Sequence, residues 1–383
     1  MGSADGAKAI ENVPTMQIKR ITVGEITVPL KVPFKTALRS VTDVHDLVLL
    51  VETDTGLTGY GEAAATAVIT GDLLDSMRAA LALIAPRLIG QHLADFTAML
   101  RVVHQSLVHH TSLKAALEIA LYDLRAQQFG VPLYQLLGGG VPRLKTDVTI
   151  SVNDTPTMVR DCLRALEEGF DSLKIKVGGH TWRDDVDSVQ AIAQAVGPKV
   201  ALRLDANQGW TPKHAVQVIQ SLEKAGVVLE FVEQPVKASD VAGLKFVTDN
   251  TLTPILADEA VFSVNDALHI LTTQSADVIN IKLMKTAGIS QAIEVANLTR
   301  RHHKSCMVGC MLESGISVTA AAHFCVAFSD VVAYIDLDGP QLCSTNPIDG
   351  GLTMDGPWIN LSDAPGLGIR AVQGLTRLQT YGE

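Results

Sequence analysis

Six ionisable residues recur along the chain at nearly even intervals: Lys176, Asp205, Glu233, Asp258, Lys282 and Asp336, with successive positions 29, 28, 25, 24 and 54 residues apart. The last gap is two steps of 27. Each charge closes a short apolar run: SLKIKV, ALRLDAN, LEFVEQP, PILADEA, VINIKL and VAYIDLDG. That period is the length of one strand followed by one helix. If such units close into a parallel barrel, the charges meet at the carboxyl ends of neighbouring strands, where these barrels carry their chemistry. Two lysines facing three carboxylates point to metal-assisted proton transfer.

Asp205, Glu233 and Asp258 fall at the ends of three consecutive expected strands. Three hard oxygen ligands suit Mg²⁺, and the lack of neighbouring His or Cys disfavours zinc. A single such Asp would read as a helix cap, but three in succession do not. The metal would bind a substrate carboxylate and stabilise the charge that develops as the α-proton leaves. Lys176 and Lys282 belong to the second and sixth strands, on opposite sides of the barrel. One lysine can face each side of a planar enediolate, so a proton removed from one face and returned to the other inverts a stereocentre without an organic cofactor. A lysine base must be neutral part of the time, and burial, Lys174 and the metal all push its pKa down.

Side chains alternate along a strand, which pairs Lys174 with Lys176 and Asp336 with Asp338, and turns Lys285 away from Lys282. An isolated Lys-x-Lys would suit a solvent-exposed strand. In a central parallel strand, buried on both faces, unpaired lysines are expensive and a functional role is favoured. Asn207 is either a partner of this cluster or a turn residue. His109, His110, His302, His303 and His323 read as surface or core residues rather than ligands.

The elements that must hold these residues fall into an α/β fold: a TIM-type barrel with an N-terminal α+β capping domain completed by the C-terminal tail. From Met16 to about Leu57 the chain is strand-like, and from Leu73 to Leu137 helical, with SLKAALEIALYDLRAQQFG stopping at a glycine C-cap, Gly130. We assign 16–140 to the capping domain, 141–345 to the barrel after the break GGGVP, and 346–383 to a segment returning to the capping domain. Eight barrel strands are expected, from TDVTISV to SCMVGCM and VAYIDLD. Thr-Pro, Ser or Asp caps open the helices between them. A doubly wound open sheet is the rival, but no Gly-x-Gly-x-x-Gly follows a strand.

A chain of 383 residues with 47% hydrophobic and 4% aromatic residues has room for such a barrel of about 250 residues and a companion. Its net charge of -10, with no basic run, excludes a nucleic-acid binder. No stretch approaches the ~20 apolar residues of a membrane span. Residues 1–15 have no apolar signal-peptide core and read as a disordered leader or an expression remnant. The five cysteines, Cys162, Cys306, Cys310, Cys325 and Cys343, form no paired framework and are expected as reduced thiols in a cytosolic protein. Cys306 and Cys310 are expected on one face of one strand, too far apart to bridge.

With Lys-x-Lys, then Asp, Glu and Asp, then a sixth-strand Lys, the chain resembles the enolase superfamily, muconate-lactonizing-enzyme subgroup, for which Lys bases and Mg²⁺ are the known pattern. The resemblance runs from about Met16 to Arg370 through GYGEAAATAVITGD, LKIKVG, LRLDANQGW, VEQPV, ADEAVF and NIKLMKTAGIS. Asp336-Leu337-Asp338 on the eighth strand resembles the dipeptide epimerases and implies capture of a dipeptide ammonium group by two carboxylates. Arg39 in PFKTALRS resembles the capping-loop arginine of the L-Ala-D/L-Glu epimerases, whose fork suits a glutamate carboxylate. The resemblance implies Lys176 and Lys282 as acid/base catalysts and Asp205, Glu233 and Asp258 as Mg²⁺ ligands. It implies Lys174 against the substrate carboxylate, and Thr149, Cys310 and Leu312 lining the dipeptide; CMLESGISV keeps the family's Glu313. A cytoplasmic homo-oligomer working on a small dipeptide, in murein peptide metabolism, is the expectation. Epimerases of other dipeptides, an N-acylamino acid racemase, o-succinylbenzoate synthase and a noncatalytic metal-stabilised scaffold are the alternatives.

Overall fold

The computed structural model describes residues 15–383, so the expected leader lies, but for its last residue, outside the described residues. Three strands, β1 (Ile18–Lys35), β2 (Ser40–Thr53) and β3 (Thr58–Ala64), form an antiparallel meander. The chain's last strand, Thr376–Gly382, pairs antiparallel with the free edge of β1. Helices α1 (Leu74–Leu88), α2 (Phe96–Gln105) and α3 (Thr111–Gln128) follow. Ile21, Val23, Leu47, Leu49 and Val51 bury one sheet face against Leu81, Ile84, Leu117 and Leu121. The opposite stripe of α3, Ala115 and Ile119, joins the barrel core, so this helix is buried on nearly every side. It ends as expected, with Gly130 in the left-handed region at φ +66°.

Eight parallel strands then pair in strict sequence order: Val148–Ile150, Ser172–Lys176, Ala201–Asp205, Phe231–Glu233, Ile255–Ala257, Val278–Ile281, Ser305–Gly309 and Val332–Asp336. The seam between first and eighth is drawn together by Leu337 N–H donating to Thr146 Oγ1 (2.8 Å) and Asp147 N–H donating to the Ile335 carbonyl (3.3 Å). A doubly wound sheet would reverse its strand order partway; this one closes into a barrel. Caps appear where expected, with Thr211 accepting from His214 N–H. Before Thr155-Pro156, however, the cap is Asp154, one residue earlier.

Alternation sorts the barrel residues. Leu173, Ile175, Leu202, Leu204, Val232, Ile255, Ala257, Ile279, Ile281, Cys306 and Val308 face the helices in one large core. The inward set starts with an apolar floor of Phe231, Leu256, Val278 and Met307, with Tyr334 against it. The Arg203 guanidinium lies 5.5 Å from the Phe231 ring and 5.2 Å from that of Tyr334, and it donates to Asp147 and Glu230. Above this floor every inward position toward the carboxyl end is polar or charged, apart from Gly309. The floor seals one end, and the charges occupy the other.

The capping domain is bonded to the barrel at defined points. Glu62, at the end of β3, is fully buried and accepts from Ser314 N–H, Ser317 N–H and Ser317 Oγ at the start of barrel helix Gly315–Ala327. Glu118 on α3 accepts from Ser290 N–H (2.8 Å) and Ser290 Oγ (2.5 Å) and meets His104 Nε2. The end of β1 reaches the first barrel strand through Lys35 and Val152, and this fixes the root of the loop that carries Arg39. Among the described residues no helix is long and apolar enough to cross a membrane.

Two glycines let α3 lie on the sheet. A Cβ at Gly59 would stand 2.2 Å from the Ala120 carbonyl oxygen, and one at Gly61 1.9 Å from that of Ala116. Gly61→Ala forces helix and sheet apart, and a loss of about 3 kcal/mol is expected in urea unfolding.

His323, read from sequence as surface or core, is core: its Nδ1 accepts from Tyr134 N–H (3.0 Å), and burial lowers its pKa to about 3. Above the unfolded value of about 6.5 both states are neutral; below it only the unfolded chain gains the proton. Stability therefore falls as pH drops from about 6.5 toward 3, by roughly 1 kcal/mol per pH unit from this group. Urea midpoints of His323→Asn are expected to vary less over that window than those of the parent chain.

Candidate active site

Each of the six spaced charges is the last residue of its strand or the next one along: Lys176, Asp205, Glu233 and Asp336 end their strands, and Asp258 and Lys282 follow theirs. Strand register aligns Lys176, Asp205 and Glu233 in one row across three strands. Arg39, Thr149, Lys174, Lys176, Lys282, Cys310, Leu312, Asp336 and Asp338 line one cleft beneath the capping domain. Asp205, Glu233 and Asp258 lie under its floor, at most 1% exposed. The residues assigned to the site from the sequence thus line or underlie one cleft.

Ion pairs hold them. Lys174 Nζ lies 2.7 Å from Glu233 Oε2, 2.7 Å from Asp336 Oδ2 and 3.2 Å from Asp205 Oδ2. Lys176 Nζ donates to Asp205 Oδ2 (2.5 Å), and Lys282 Nζ donates to Asp258 Oδ2 (2.7 Å). Glu233 Oε1 accepts from Asn280 Nδ2 (2.8 Å). Asn280 was not singled out in the sequence, although it shares the inward parity of Lys282. Asp338 Oδ2 accepts from Thr149 N–H (2.7 Å), which ties the eighth strand's end to the first.

Four expectations are corrected. Lys285 does not point away: after Lys282 the chain enters a short helix, Leu283–Thr286, so strand alternation no longer applies. Its fully buried Nζ lies 2.6 Å from Asp258 Oδ1 and donates to the carbonyls of Asp258 and Asn280. Asp338 shares the cleft with Asp336, but not by alternation, because the strand stops at Asp336 and Asp338 has turned to φ -86°, ψ -5°. Cys310 likewise lies beyond its strand and lines the cleft, whereas Cys306 faces the helices, so they do not share a face. The lowered lysine pKa is also absent at Lys282 and Lys174. Burial alone would lower both, but Asp258 and Glu233 hold Lys282 above its ordinary value, and Asp336, Glu233 and Asp205 do the same for Lys174.

The carboxylates divide in response. Burial and the charges of Asp205 and Asp258 raise Glu233 to about 8, and burial and Asp258 raise Glu259 to about 7. Asp338 rises to about 6 through burial and the charge of Asp336, while Lys174 outweighs burial and holds Asp336 at about 2. Six buried carboxyl groups stand against four buried lysines, Lys174, Lys176, Lys282 and Lys285. Fully ionised, the cluster carries an excess of two negative charges. Among the described residues no three carboxylates close on a single point, since lysines stand between them. The donor set nonetheless fits a hard divalent cation: it is all oxygen, and a lysine nitrogen already lies between Asp205 and Glu233.

Arg39 is largely buried at the rim, and burial lowers its pKa against the opposing charge of Asp46. Among the described residues its guanidinium donates no hydrogen bond. It lines the same cleft as Asp336 and Asp338, so the cleft wall carries both a cation and carboxylates.

Comparison with known proteins agrees with this geometry. Residues 18–138 match the mandelate racemase/muconate lactonizing enzyme N-terminal domain, and residues 157–373 match the enolase C-terminal domain-like family. The L-Ala-D/L-Glu epimerase of Clostridium acetobutylicum is 47% identical over 358 residues, covering 93% of this chain and 99% of the relative. The substrate-liganded L-Ala-D/L-Glu epimerase from Bacillus subtilis superposes with a TM-score of 0.92 at 46% identity, over 93% of this chain and 99% of that one. The dipeptide epimerase from Enterococcus faecalis, complexed with Mg and L-Leu-L-Tyr, gives 0.90 at 39% identity, over 93% and 100%.

Lys285→Met would strip Asp258 of one of its two lysine partners in a fully enclosed site. A loss of about 3 kcal/mol is expected in urea unfolding, because a buried carboxylate loses one of its two counter-charges.

Proposed function

The chain belongs to the mandelate racemase/muconate lactonizing enzyme family of the enolase superfamily, and on that footing we propose that it epimerises a dipeptide, L-Ala-D/L-Glu, at its C-terminal residue. The observation that carries this reading is that Lys176, Lys282, Arg39, Asp336 and Asp338 line one cleft. Relatives are epimerases of L-Ala-D/L-Glu and of other dipeptides, which supports the reaction class.

In this reading Asp336 and Asp338 take the substrate ammonium group, which releases Lys174 toward the substrate carboxylate. Arg39 takes the glutamate side-chain carboxylate through its planar fork. Thr149, Cys310 and Leu312 line the peptide between. Lys176 and Lys282 approach the α-carbon from opposite faces, one removing its proton while the other delivers one, and stereochemistry inverts through a planar enediolate. Asp205, Glu233 and Asp258 would hold Mg²⁺, which supplies Lewis-acid stabilisation of charge on the substrate carboxylate. A dipeptide epimerase structure complexed with Mg supports a role for this metal. The five free cysteines support a reducing, cytoplasmic setting.

In D₂O with Mg²⁺ and L-Ala-D-Glu, deuterium is expected at the glutamate α-carbon together with the L-Glu epimer. Its absence, or a higher kcat/KM with an o-succinylbenzoate synthase substrate, would sink the proposal. Lys176→Ala and Lys282→Ala should each lower epimerisation by ~10³-fold or more while still binding metal in a titration. Arg39→Met should lower kcat/KM for the glutamyl dipeptide by about 100-fold, with far less effect on an alanyl one.

A further inference from the structure

Lys176 and Lys282 are held in different ways. Among the described residues Lys282 Nζ donates to Asp258 alone, while Lys176 Nζ donates both to Asp205 Oδ2 (2.5 Å) and to Asn207 Oδ1 (3.1 Å). Asn207 is itself built in. Its backbone sits in the left-handed region at φ +41°, and its N–H donates to Asp205 Oδ1 (2.9 Å). Its side-chain Nδ2 donates to Glu259 Oε1 (3.2 Å). Glu259 is almost fully enclosed, lines the same cleft, and its Oε2 has no hydrogen-bond partner among the described residues.

An amide has an accepting end and a donating end, and a carboxylate only accepts. Glu259 and the Lys176 ammonium group therefore favour the same orientation of the Asn207 amide. A flipped amide would turn its NH₂ on the Lys176 ammonium and its oxygen on the Glu259 carboxylate, so both contacts would become repulsive. With Asp205 and Asn207 occupying two of the three directions around Lys176 Nζ, the third is left for the cleft. The Phe34 ring, its centroid 5.7 Å away, walls that side.

We propose that Asn207, oriented by Glu259, is a positioning residue for Lys176 alone, so that the two faces of the substrate α-carbon are served by lysines under separate control. The inference rests on the two-lysine reading of the cleft. It assigns the turn DANQ and the residue after Asp258 a role on one stereochemical face of the reaction.

The discriminating variant is Asn207→Gly, which tolerates the left-handed backbone and keeps the N–H on Asp205 while deleting the amide. With Mg²⁺ present, initial deuterium uptake in D₂O is measured separately from the D- and L-glutamyl epimers. The variant is expected to slow uptake from one epimer at least tenfold more than from the other. Equal slowing of both epimers, or of neither, overturns the proposal, since a merely structural loss would act on both faces.

Asn207→Asp sets a second carboxylate against Glu259 and should skew the same ratio. Adding Glu259→Gln supplies a donor to that carboxylate and should restore the ratio toward the parent value; failure to restore it also overturns the proposal. If the parent chain exchanges neither epimer, the epimerase reading fails, and the positioning claim is judged by crystal structures of the Mg²⁺-loaded parent and Asn207→Gly. A Lys176 amine displaced or split between two rotamers supports it, and an unmoved amine overturns it.

Discussion

The lysines at the open end of this barrel are buried, and each is held there by a carboxylate. An isolated carboxylate or ammonium in such a place would neutralise itself by giving up or taking a proton. The chain instead packs lysines among carboxylates so tightly that removing one partner strands another. Lys174 touches Asp205, Glu233 and Asp336 at once, and Asp258 is shared by Lys282 and Lys285. Much of the architecture serves this balance: the apolar floor of Phe231, Leu256, Val278 and Met307 closes the barrel below, and the capping domain covers it above.

The same balance explains how the lysines behave. Burial alone would make Lys282 a poor cation and a ready base, yet Asp258 and Glu233 reverse that tendency. A lysine so heavily countered is a resting acid. It becomes a base only when some of the carboxylate charge around it is drawn elsewhere, which a divalent cation on Asp205, Glu233 and Asp258 would do. Carboxylate charge is thus a feature of the site in its own right and sets the protonation of Lys282.

Much of this was legible in the sequence because parallel barrel strands are short and buried on both faces. A charge at the end of SLKIKV or VINIKL has nowhere to go but the barrel mouth, so spacing alone located Lys176 and Lys282. Alternation within strands was equally dependable and sorted Ile175 from Lys174. It failed one to four residues later, where the chain leaves the strand. Lys285, Asp338 and Cys310 all sit past a strand end, in turns or single helical turns whose side-chain directions follow backbone dihedrals rather than parity. Asn280 could have been found by parity with Lys282. The pairing of Asn207 with Glu259 joins residues 52 positions apart, and no local pattern announces it.

Glu62 carries a different kind of consequence. It belongs to the capping domain, yet it is bonded to the N-terminal turn of a barrel helix through Ser314 and Ser317, beside the strand end that bears Cys310 and Leu312. The two domains are therefore not interchangeable modules. A capping domain grafted from a relative to change ligand preference would have to bring an acid at this position, or else leave the helix start uncapped next to the cleft. The Glu62 contact is written jointly in both halves of the chain. Redesign of preference should accordingly be sought in the loop tips, with the Glu62 contact treated as fixed.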